Sequence, residues 1–120
     1  MKPYQDARVE GEKLAKQYAE LEKADQVDFY NGLEGYYSVL GHNKKQEDIA
    51  VLIEKNDHKI YVYQLDKGIS QDKAATISRE KGASDIEKIT FGRYQDKPIW
   101  EVKSGNQYYL VDFETGAVIQ

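Results

Sequence analysis

The chain has 120 residues, is 40% hydrophobic and 32% charged, and carries a formal net charge of −4 with no cysteine. That balance belongs to a folded domain rather than a disordered segment. The missing cysteines exclude disulfides, thiolate metal centres and a cysteine nucleophile, and the lack of any concentrated basic cluster excludes a nucleic-acid surface.

Residues 3–23 are expected to form the first helix. Pro3 suits a first-turn position. Ala7, Gly11, Leu14, Ala15, Tyr18 and Leu21 recur at three- and four-residue spacings, one stripe of a 3.6-residue period. Arg8, Glu12, Lys16, Glu20 and Lys23 occupy the other face. "QVDFYNGLEGYYSVLG" then reads as two strands about the turn dipeptide Asn31-Gly32.

"DIAVLIEKNDHKIYVYQL" reads as a second hairpin about Asn56-Asp57. A two-residue turn there sets Ile53 opposite Ile60 and Val51 opposite Val62, leaving Leu52, Tyr61, Tyr63 and Leu65 on the reverse face. Both faces are apolar, whereas a sheet covered on one side alternates apolar with polar. The hairpin is therefore expected to need a cover besides the first helix.

"DKGISQDKAATISREKG" is a second helix, capped by Ser70 and ended by Gly82 in a left-handed conformation. Strands over 86–94, 99–103 and 108–113 follow, with a short apolar tail at 117–119. In the hairpin about Gly105-Asn106, Trp100 faces Val111 and Val102 faces Tyr109. Glu101, Lys103, Tyr108 and Asp112 make the reverse, solvated face. The order helix–strands, helix–strands predicts an α+β fold of two tandem units, 1–65 and 66–120, each one helix packed on a bent antiparallel sheet. Units this small bury little core alone, so the two are expected to pack together.

The segments "FYNGLEGYYSVLG", "GISQDKA", "KPIWEV" and "YYLVDFETGAV" resemble the YpmB-like proteins of Gram-positive bacteria, which belong with PepSY-type modules. The resemblance spans nearly the whole chain. It implies two cystatin-like units and an extracytoplasmic protein, held to the membrane by a helix just ahead of the first helix. No run here approaches the ~18 apolar residues of a membrane span, and "MKPYQDARVE" lacks the apolar core of a signal peptide. The chain is thus expected to be an ectodomain whose anchor lies upstream. The resemblance supplies no catalytic residues and no cofactor.

The residues by themselves offer little chemistry. His42, in the polar loop "LGHNKKQED", and His58, at a turn, are the two histidines, too few ligands for a metal. No G-x-S-x-G elbow accompanies Ser38 or Ser104. Glu101 and Asp112 share a sheet face, but a carboxylate pair beside Lys103 is the ordinary solvated face of a sheet. Trp100 reads as core. The ten tyrosines are amphipathic rings suited to packing or recognition. If a binding surface exists, it is expected to use Tyr36, Tyr61, Tyr63, Glu101, Tyr108 and Asp112, together with a free strand edge. The function expected is a non-catalytic interaction module whose partner is a protein or peptide of the cell envelope. The alternative is an inhibitor or regulator of an envelope peptidase or wall enzyme, with "GHNKKQED" as its wedge.

Overall fold

The computed structural model describes residues 3–119, and side chains from residue 9 onward. Its chain divides into two compact units, Met1–Leu65 and Asp66–Gln120. The first contains α1 (Pro3–Tyr18), β1 (Leu21–Asn31), β2 (Gly35–Asn43), β3 (Asp48–Glu54) and β4 (Ile60–Gln64). A 3-10 turn (Leu65–Lys67) spans the boundary, and the second unit contains α2 (Gln71–Glu80), β5 (Ile86–Tyr94), β6 (Lys97–Ser104) and β7 (Gln107–Asp112). The sheets are antiparallel meanders in the orders β1-β2-β3-β4 and β5-β6-β7. The α+β architecture of two helix-plus-sheet units is therefore present.

The first helix is shorter than its periodicity suggests. It stops at Tyr18, because Glu20 takes a left-handed φ of 57° and turns the chain into β1. Leu21 continues the apolar stripe in sequence but is buried as a strand residue. Tyr18, expected in the stripe's core, is 60% exposed. Ala15 and Leu14 pack on a core of Leu21, Val27, Val39, Ile49, Val51 and Ile53. Gly41 lets β1 and β2 approach where β1 is bulged: a Cβ there would sit 2.0 Å from the Lys23 carbonyl oxygen. Leu40, Ala50 and Leu52, on the other face of the sheet, are buried as well.

The expected β3–β4 register is present, with Ile53 opposite Ile60 and Val51 opposite Val62. The connection is wider than a two-residue turn: Glu54 N donates to Lys59 O at 2.8 Å and His58 N donates back to Glu54 O at 2.8 Å. In the second unit Ser70 Oγ caps α2 by accepting from Lys73 N at 3.0 Å, and Gly82 leaves the helix at φ 116°. Trp100 is core as expected. Its ring packs edge-on with Phe91 and Phe113 at centroid distances of 4.9 and 6.4 Å, and its Nε1 donates to Ile69 O at 3.0 Å.

The tail adds the start of a fourth strand. Val118 pairs antiparallel with Val111, Asp112 N donates to Ala117 O at 2.8 Å, and Ile119 N donates to Leu110 O at 2.7 Å. The turn before it repeats the β3–β4 turn bond for bond, since Gly116 N donates to Asp112 O at 2.8 Å. Asp112 stands where Glu54 stands, and Gly116 where His58 stands.

Candidate functional site

In the first unit α1 packs chiefly on β1, β2 and β3, and only the start of β4 comes near it. The step from helix to strand opens a groove of about 190 Å³, lined by Leu14 and Tyr18 of α1, Ile53 of β3, His58 of the turn before β4, and Ile60 at the start of β4. Val62, the next residue on the same face of β4, is 48% exposed. The groove is an apolar trough with one imidazole at its edge. It can hold an aliphatic or aromatic side chain.

At the hairpin tips of the same unit three carboxylates gather. Glu54 is pushed up from its usual 4.5 to about 7, first by a hydrogen bond shared with Glu34, then by desolvation, then by a hydrogen bond with Asp57, with the charges of both neighbours adding. Tyr36 Oη donates to Glu34 Oε2 at 3.2 Å. Nearby, Lys55 Nζ lies 5.1 Å from the centroid of the Phe29 ring. Leu33, at the tip joining β1 to β2, is 73% exposed.

The residues singled out in the sequence fall in both units, Tyr36, Tyr61 and Tyr63 in the first and Glu101, Tyr108 and Asp112 in the second. Tyr36 is buried, with its ring 6.3 Å from both Tyr30 and Tyr61, so packing claims it rather than a partner. Tyr61 and Tyr63 are half-buried on the face of β4 away from the groove. Tyr108 is 53% exposed. Glu101 is partly buried, and desolvation raises its carboxyl against the pull of Lys88. Asp112 is buried, not solvated: its Oδ1 accepts from Glu114 N at 2.8 Å and Thr115 N at 3.0 Å. The reverse face of the last hairpin is thus closed at Ile99, Leu110 and Asp112, and open only toward Tyr108. The polar wedge also shrinks. His42 lies within β2, paired with Lys23 and Asp48, and the loop proper is residues 44–47. Asn43 Oδ1 holds it by accepting from Lys45 N and Glu47 N at 2.9 and 3.0 Å. Among the described residues no group of three His, Cys, Asp or Glu side chains is arranged to hold a metal ion.

No motif in the sequence marks the groove. Its signal is faint: Tyr18 ends the helical stripe beside a break, and the uncharged run "IYVYQ" follows a turn, yet only the sheet order shows that this run is an edge.

A family model described as the cell wall elongation regulator TseB-like domain matches residues 10–54, from within α1 to the end of β3. A protein of Bacillus subtilis (strain 168), named "Probable cell wall elongation regulator TseB", is 36% identical over 114 residues, spanning 88% of this chain and 70% of that protein. The chain belongs to the TseB-like family. The solved YpmB protein from Bacillus subtilis is similar in structure as well, with a TM-score of 0.78 at 31% identity over 100% of this chain and 96% of that one. The YpmB-like resemblance seen in the sequence therefore holds for the fold of this TseB-like chain. Of the groove residues, Leu14, Tyr18 and Ile53 fall within the stretch matched by the TseB-like model, whereas His58 and Ile60 lie beyond it.

Proposed function

We propose that this TseB-like chain is the extracytoplasmic interaction module of a membrane-anchored regulator of cell-wall elongation, acting by contact with an envelope protein or peptide and not by catalysis. The observation that carries the reading is its 36% identity, along 88% of its length, to a protein named as such a regulator. The geometry supports contact chemistry: an apolar groove beside a bare strand in the first unit, and a carboxylate pair in the second of which Asp112 is already committed to bracing a turn. The inhibitor reading loses its polar wedge to the short, self-bonded loop 44–47. What favours it is Leu33, the most exposed large apolar side chain among the described residues at 73%.

The test is complementation. This chain, placed behind a membrane anchor, is expressed in a Bacillus subtilis strain lacking its own TseB, and cell elongation is measured. Restored elongation is expected, and Glu101→Gln should restore it equally. A chimera that is stable and displayed outside the membrane yet leaves elongation unrestored overturns the reading. Loss of function on Glu101→Gln would return catalysis to consideration.

A further inference from the structure

Sheet edges expose unpaired backbone groups that template further strands, and natural proteins defend them with bulges, charges or cover. Three of the four edges here are defended. β1 has register shifts at Leu21/Lys23 and Ala24/Gln26 and carries Glu22, Lys23, Asp25 and Asp28. β5 has a register shift at Ile86/Lys88 and carries Glu87, Lys88 and Arg93. The outer side of β7 is occupied by the tail through Val118. β4 has neither charge nor bulge: its five residues, Ile60–Gln64, are uncharged, and its pairing with β3 is free of register shifts.

Its hydrogen-bond parity can be read from the turn. Glu54 and Lys59 form a hydrogen-bonded pair, so in the alternating antiparallel pattern Tyr61 and Tyr63 bond to Leu52 and Ala50, while Ile60, Val62 and Gln64 turn their N–H and C=O groups outward. Among the described residues no backbone partner meets them.

We infer that β4 is a self-pairing edge, at which two copies of this chain join antiparallel across a two-fold axis centred on Val62. The edge is self-complementary. With Val62 opposite the second copy's Val62, Ile60 falls opposite Gln64 and all the outward groups of the three residues find partners. The ends match in charge. Lys59 precedes β4 and Asp66, in the 3-10 turn, follows it, so antiparallel pairing brings opposite charges to the two ends of the joined strands. Ile60 and Val62 share the face that α1 packs on, so the second strand lies along the mouth of the groove and covers apolar surface on Val62 and Tyr18. An isologous contact of this kind closes on itself and does not propagate.

The test is sedimentation equilibrium on the whole chain, with amide hydrogen exchange. A monomer–dimer equilibrium is expected. Protection of the Ile60, Val62 and Gln64 amides should rise with protein concentration, while that of Tyr61 and Tyr63 should not. Val62→Lys sets two ammonium groups against each other at the axis and should weaken association roughly tenfold or more, with little change in Tm because the side chain is half exposed. A chain that stays monomeric, or a dimer that Val62→Lys leaves intact with the three amides unprotected, overturns the inference. If the chain is monomeric but a synthetic peptide of residues 58–66 protects those amides, the edge receives a foreign strand and the second-copy assignment fails. Should Val62→Lys not fold, the concentration dependence of exchange in the unmodified chain still decides.

Discussion

Glu54 and Asp112 fill the same place in two copies of one turn, and one methylene separates their fates. The shorter Asp112 reaches back to the amides of Glu114 and Thr115, a local bond that suits aspartate. The longer Glu54 instead meets Glu34 and Asp57, in a turn that also carries Lys55 and Lys59, and its carboxyl is pushed up to about 7. A carboxyl whose pKa is higher folded than unfolded binds its proton more tightly in the folded state. Its contribution is therefore full below the ordinary value and is lost as the pH rises through the folded one. Stability is expected to fall across the window from 4.5 to about 7, with Glu101, also raised, acting in the same direction. Glu54→Gln keeps a neutral donor and acceptor in place and should flatten that part of a Tm-against-pH curve. An equally steep decline in the variant would show that other groups cause it.

At the scale of the element, the repeated turn demands a left-handed residue at its fifth position. The second unit supplies Gly116 at φ 81°, the first His58 at φ 57°. A residue with a Cβ is strained there by about 1–2 kcal/mol. The space around Gly116 would admit a methyl group, since its nearest contacts would be Ile77 and Ile69 at 3.4 and 3.6 Å, so Gly116→Ala isolates the backbone cost. It should lower stability by about 1–2 kcal/mol, read from the urea midpoint. His58→Gly should move the midpoint the other way by a smaller amount, because glycine also loosens the unfolded chain. The opposite order would mean that the two turns are not equivalent.

For the whole molecule, each unit has its own helix and its own sheet. Domains of 55 to 65 residues bury only about 60% of the surface their unfolded chains expose and are marginal alone. We therefore propose that each depends on the other for stability. Residues 1–65 expressed by themselves are expected to melt at a lower temperature than the same residues in the whole chain, with a broader transition by calorimetry. A fragment as stable as its parent would make the units independent.

Much of this was legible in the amino-acid sequence, because it is set by neighbours along the chain. The Ser70 cap, the Gly82 stop, the pairing of Trp100 with Val111, the register of Ile53 with Ile60 and the count of two helix-plus-sheet units all follow from local periodicity and turn chemistry. Periodicity makes the first helix too long, because the stripe runs on through Leu21 and nothing in it shows the reversal at Glu20. Alternation puts Asp112 on the solvated face of its hairpin, yet the residue is buried, because alternation assigns a face and not its exposure. The bare edge at β4 and the groove beside it belonged wholly to the tertiary structure. Which strand lies outermost, and how far a helix reaches across a sheet, depend on sheet order and helix placement, and no stretch of sequence encodes these without its distant partners.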